Sequence, residues 1–131
     1  MNPQQKVRHN LADAIEFYLD GEYTNAQLED VIFDIWGVEN VSTNIADVII
    51  LFSSDFATHR NSGRYQIPSK FIERIRKWIV FLRSDCNWPA SARDILAGDS
   101  SETIRGQAIE DVHWPFQSKD DWDKYILEMA D

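Results

Sequence analysis

The chain has 131 residues, an apolar fraction of 44%, one cysteine and a net charge of −9. That is the length and composition of a single domain with a real core; one thiol excludes an internal disulfide and any zinc site built from several cysteines, and suits a reducing compartment. The acidity argues against nucleic acid, where Lys and Arg must neutralise phosphates, and against anionic membranes, and it is compatible with steering toward a basic partner.

In chain order, Asn2 can cap a first helix over about residues 4–20, with Pro3 in its first turn. Val7, Leu11, Ala14, Ile15, Tyr18 and Leu19 fall on one face, and Gly21 follows as a stop. A second helix begins near Thr24, with Gln27 at capping-box spacing. Its stripe is Leu28, Val31, Ile32, Ile35 and Trp36, and Gly37 ends it. A third begins after Ser42 or Thr43, with Ile45, Val48, Ile49, Phe52 and Phe56 inward and Asp47, Ser54 and Asp55 outward. Its run VIILF also reads as a buried strand, but the flanking polar residues keep helical spacing. Residues 58–68 form a loop with turn residues Asn61, Ser62 and Gly63, closed by Pro68. The strongest helix follows over about 69–85, with Ser69 available as cap and Phe71, Ile72, Ile75, Trp78, Ile79 and Leu82 inward. It is apolar enough to be the central helix of a bundle. A short helix over 90–96, a polar connector over 98–106 and an irregular segment over 109–116 lead to Ser118, which caps a last helix over about 119–130. Its face is Trp122, Tyr125, Ile126 and Met129. No strand series emerges, so the fold expected is all-α, a single-domain helical bundle of about five helices spanning 1–131. Of the five tryptophans, Trp36, Trp78 and Trp122 fall on apolar stripes and read as core. Trp88 and Trp114 each precede a proline and would pin the C-terminal segment onto the bundle. The polar N-terminal stretch lacks a secretory apolar core, and no apolar run approaches the ~20 residues of a membrane span, which points to the cytoplasm.

Catalytic constellations are sparse. Asp55 and His59 are four apart, a spacing that brings two side chains to one helix face, but a metal there needs further ligands; the plainer account is a surface pair near a helix end. Glu110, Asp111 and His113 make a small cluster that reads as solvated loop rather than a metal corner. Cys86 sits after Asp85 at a helix C-terminus, where acid and dipole both work against a thiolate. The five glycines match no phosphate-loop spacing. No cofactor or metal is expected, and binding is favoured over catalysis.

Charge is distributed unevenly. Residues 1–55 hold ten acids and two bases, 56–88 seven bases and two acids, and 89–131 ten acids and four bases. The basic stripe of Lys70, Arg74 and Lys77, with Arg76 and Arg83 on a neighbouring line, would bind phosphate or RNA as a function. As structure it is the outer face of a core helix, meeting acids of the first or second helix, and the acid surplus on both flanks favours the structural account. The acids are the stronger functional feature. The first helix presents Asp13, Glu16 and Asp20; the second presents Glu29, Asp30 and Asp34. Like charges four apart cost a helix a few tenths of a kcal/mol, a strain that attraction of a basic partner would explain. Tyr18, Tyr23 and Trp36 lie near these acids as candidate aromatic anchors, although packing explains each singly.

The stretches FIERIRKWIVFLRSDCNWP (71–89) and HWPFQSKDDWDKY (113–125) resemble a family of small, acidic, uncharacterised helical bacterial proteins. Phe81, Leu82, Ser84, Asp85, Trp88 and Pro89 take the places of that family's helix-ending phrase. Trp114, Pro115 and Phe116 take those of its closing segment, and Ser42 and His59 look like further family positions. Cys86 and Asn87 depart from the aromatic or acidic pair usual before W-P. Small acidic proteins of this kind sometimes stand beside toxins as immunity proteins. The resemblance therefore implies a non-enzymatic protein that occludes a basic toxin domain, such as a nuclease, and the charge layout supplies Asp13, Glu16, Asp20, Glu29, Asp30, Asp34, Tyr18 and Tyr23 as the partner-binding set. The alternative is a homo-oligomeric accessory or regulatory protein; a metal-dependent enzyme using His59 or His113 is a third class.

Overall fold

A computed structural model describes residues 2–38, 40–53, 55, 57–83, 113 and 118–129. The fold is all-α: the described residues form five α-helices and one short 3-10 turn and no strand. The chain divides into two compact units, Met1–Arg83 and Ser84–Asp131.

The first unit holds α1 (Pro3–Leu19), α2 (Asn25–Ile35), α3 (Asn40–Ser53), a 3-10 turn (Gly63–Tyr65) and α4 (Ser69–Leu82). Capping boxes start α1 and α2. The Asn2 side chain accepts from Gln5 N at 2.8 Å while Gln5 Oε1 accepts from Asn2 N at 3.0 Å. Thr24 and Gln27 repeat the exchange at 3.3 and 2.9 Å. Each box satisfies two amides that a helix start otherwise leaves unpaired. The apolar run of α3 is helix, not strand, and its helix starts at Asn40, before Ser42. Pro68 rather than Ser69 holds the N-cap position of α4, with no side-chain cap bond.

Among the described residues of this unit α1 is the central element: it packs against α2, α3 and α4, whereas α4 packs mainly on α1. Within this unit the central place thus falls to α1 rather than to the 69–85 segment. The apolar stripe of α4 is sharp and covers one neighbour. α1 buries Val7, Leu11, Ala14, Ile15 and Tyr18, and also Arg8, Ala12 and Leu19 on either side of them. Two alanines on that wide arc let neighbouring helices approach closely. Leu28 and Ile32 of α2, Ile45, Val48 and Ile49 of α3, and Ile75, Trp78, Ile79, Phe81 and Leu82 of α4 complete the core. Each large aliphatic side chain so buried contributes about 1.5–3 kcal/mol of transfer free energy. Asp47, expected to face outward, is buried, as are Ser42 and Ser53. Ser53 Oγ donates back to the Ile49 carbonyl at 3.2 Å.

In the second unit, α5 (Lys119–Met129) begins as expected: Ser118 Oγ accepts from Asp121 N at 3.3 Å, and Trp122 is buried. The expectations for 90–96 and 98–106, the Cys86 corner, Trp88, Glu110, Asp111 and Trp114 lie outside the described residues. Among the described residues no helix is long and apolar enough to cross a membrane.

Candidate functional site at the α1–α2 face

α1 closes with a Schellman motif. Glu22 N donates to the Phe17 carbonyl at 2.9 Å and Gly21 N to the Tyr18 carbonyl at 3.2 Å. The motif requires a left-handed residue, which Gly21 supplies at φ +81°. Tyr23 N also donates to the Phe17 carbonyl, at 3.1 Å, so the chain turns back at once. The rings of Phe17 and Tyr23 meet, 5.0 Å between centroids and tilted 44°.

That turn sets α2 beside α1 and leaves a groove of about 300 Å³ between them. Asn10, Asp13, Ala14 and Phe17 line it from α1, at spacings of three and four that share a helix face. Val31, Asp34 and Ile35 line it from α2, and Tyr23 contributes from the connection. The lining is more polar than apolar, and it brings two carboxylates, Asp13 and Asp34, and two aromatic rings, Phe17 and Tyr23, to one place.

Of the residues expected to bind a partner, the structure brings Asp13, Asp34 and Tyr23 to this one groove. Asp13 and Glu16 share Arg83 of α4: the guanidinium donates to Asp13 at 3.0 Å and also bonds Glu16. Asp20 pairs with Arg76 at 3.4 Å. Arg76 and Arg83 of α4 thus meet acids of the first helix, as charge balance suggested for that line of the basic face. Burial of the Arg83 guanidinium disfavours its charge, but the hydrogen bonds and charges of Glu16 and Asp13 outweigh it, so its pKa rises above the usual arginine value. These pairs are exposed enough that each contributes only about 0.2–1 kcal/mol. Glu29, Asp30 and Asp34 belong to α2, which carries no basic residue, and Asp30 and Asp34 are exposed.

Tyr18 is a correction. It is 1% exposed, and no partner reaches it. Its hydroxyl lies 3.0 Å from His59 Nε2. His59 Nδ1 lies 3.1 Å from the Ala57 carbonyl, which only accepts, so Nδ1 carries the hydrogen and Nε2 accepts from Tyr18. Burial pushes the Tyr18 pKa above its ordinary value. His59 stacks on Tyr65, 4.0 Å between centroids, and exchanges two 2.8 Å bonds with Asn25: its amide donates to Asn25 Oδ1 and its carbonyl accepts from Asn25 N. His59 is therefore a buried fastener of the 58–68 loop. Asp55 lies past the end of α3 and accepts from Ala57 N at 3.2 Å, so Asp55 and His59 do not share a helix face. Among the described residues no cluster of three metal-ligating side chains occurs.

Trp36, expected in the core, is 45% exposed, because α2 ends at Ile35 and the left-handed Gly37 turns the chain away. Phe33 is 68% exposed and Val38 is exposed as well. Sequence reasoning missed Phe17 and Phe33 as surface features. The available signal was that both aromatics fall off the apolar stripe of their helices. It also missed Asn25, whose partners lie more than thirty residues away.

Comparison with known protein families, with curated proteins and with solved structures found no match.

Proposed function

We propose that the protein binds a basic protein partner through the α1–α2 face and, most concretely, acts as an immunity protein that blocks a basic toxin domain by occlusion. The observation that carries this reading is the groove itself, which brings the carboxylates of Asp13 and Asp34 together with the rings of Phe17 and Tyr23. A toxin that holds phosphates has a basic active site. An acidic face speeds its capture by steering, and aromatic anchors then slow release. Phe33, Trp36 and Val38 supply further exposed apolar surface at the end of α2.

Self-association through the same surface is the second reading, since an exposed apolar trio suits any protein interface. A two-fold contact through α2 would set Glu29, Asp30 and Asp34 against their own copies with no base between them, which disfavours it. Sedimentation equilibrium separates the two: a stable dimer through α2 would replace the immunity reading. Replacing Asp13, Glu16, Asp20, Glu29, Asp30 and Asp34 with Asn or Gln should slow association with a basic partner captured from the host and flatten its dependence on salt. Unchanged association and unchanged salt dependence would reject occlusion by charge.

A further inference from the structure

We infer that the outer face of α2, with Phe33 on its exposed side and Trp36 and Val38 at its end, is where the partner docks, and that the docked segment is basic and covers those three residues with an apolar side chain. This rests on the reading of the partner as a basic protein. It moves the grip from the groove to the exposed ridge beside it, with Asp34 common to both.

Folding does not explain these side chains. Leu28, Ile32 and Ile35 bury the inner face of α2. At about 3.6 residues per turn, the opposite face carries Ala26, Asp30, Phe33 and Asp34, and all four are exposed. Trp36 follows Phe33 by three residues, one turn on, and it and Val38 are exposed as well. Other aromatics of this unit pair: Phe17 with Tyr23, Phe52 with Phe71, and His59 with Tyr65. Among the described residues neither Phe33 nor Trp36 meets another ring, and the Trp36 indole N–H makes no hydrogen bond. Helix propensity gives no reason for them either, since Phe and Trp favour a helix no more than Ser does.

Charge says what covers the face. Glu29, Asp30 and Asp34 are the charged residues of α2, and among the described residues none of them is in an ion pair. Arg76 and Arg83 answer the acids of α1 instead. Glu29 and Asp30 lie one helical turn before Phe33, and Asp34 directly follows it, so carboxylates rim the exposed ring. A second copy in two-fold contact, a nucleic acid and an anionic membrane would each bring further negative charge to that rim. A basic segment relieves the repulsion, and its apolar side chain takes the rings out of water. The rim then governs the rate of encounter and the rings the lifetime of the complex.

The test is an NMR titration of the isotopically labelled full chain with three capped model peptides of equal length and helical period: lysine–leucine, lysine–alanine and glutamate–leucine. The lysine–leucine peptide should shift the amides of Phe33 and Val38 and the Trp36 indole N–H, and should bind about tenfold more tightly than either of the others. Phe33→Ser exchanges two residues of similar helix propensity at an exposed site, so the thermal midpoint should stay close to that of the wild type. The same variant should weaken lysine–leucine binding about tenfold, and Asp30→Asn about threefold. Equal binding of lysine–alanine would mean that the acids act alone and would overturn the docking face. Equal binding of glutamate–leucine would overturn the choice of a basic occupant. Shifts confined to the groove residues Asn10, Asp13 and Ala14, or binding that Phe33→Ser leaves unaltered, would overturn the site. Association with a basic partner that Phe33→Ser leaves intact would also remove this docking face while leaving the proposed function standing. Lysine–leucine binding at Phe33 in a protein that captures no basic partner would do the reverse.

Discussion

Tyr18 ties two distant parts of the chain through one hydroxyl. Replacing it with Phe keeps the ring and its packing but leaves His59 Nε2 buried without its donor. An orphaned buried acceptor costs about 1–3 kcal/mol, so Tyr18→Phe should lower the thermal midpoint by several degrees. The alkaline behaviour of the two proteins should also differ. The folded pKa of Tyr18 is raised above its unfolded value of about 10. Its contribution is therefore fully present below about pH 10 and is lost as pH rises through the folded pKa. Urea midpoints measured at about pH 9 and about pH 11 should fall further in the wild type than in Tyr18→Phe. Equal falls would mean that the hydroxyl does not resist ionisation in the fold.

At the scale of elements, the geometry of the groove depends on where α1 stops. Gly21 sits at φ +81° with nothing within 4 Å of an added Cβ, so Gly21→Ala meets no clash and isolates the backbone term. That term is roughly 1–2 kcal/mol for an L-residue in the left-handed region. Thermal denaturation should show this loss, and a loss under about 0.5 kcal/mol would mean that the turn relaxes into another conformation. Both ends of α1, the start of α2 and the helicity of VIILF were legible in the sequence, because capping boxes, a stop glycine and 3.6-residue periodicity are local signals. The exposure of Trp36 and the burial of Asp47 were not. Trp36 continues the stripe of α2 in sequence, but the helix stops one residue short of it. Asp47 lies off the apolar stripe of α3 in sequence, and only tertiary packing brings it inside. The role of α1 as the centre of the first unit was hidden for a related reason. A sharply amphipathic helix such as α4 advertises one buried face, whereas Arg8, Ala12 and Ala14 blur the hydrophobic pattern of the helix that touches three neighbours. Tyr18 was legible as apolar-stripe and as near-acid at once, and only the hydroxyl's meeting with His59, forty-one residues on, decides between them.

For the whole molecule, net charge is a poor guide to the field a partner meets, because the arginines of α4 are spent unevenly. Arg83 and Arg76 stand against Asp13, Glu16 and Asp20, so the α1 acids leave about one net negative charge. Glu29, Asp30 and Asp34 share a helix without a base and leave three. Neutralising the α2 trio should therefore slow capture of a basic partner more than neutralising the α1 trio, although sequence counting makes the two equal. Arg83→Gln should act in the opposite sense. It releases Asp13 and Glu16 beside the groove and should accelerate association at low salt, at a stability cost of no more than about 1 kcal/mol because the pairs are solvent-screened. Stopped-flow association rates at two ionic strengths compare all three variants with the wild type. If Arg83→Gln instead slows association while the protein stays folded, Arg83 is holding Asp13 in its binding orientation, and alignment rather than charge count governs the α1–α2 face.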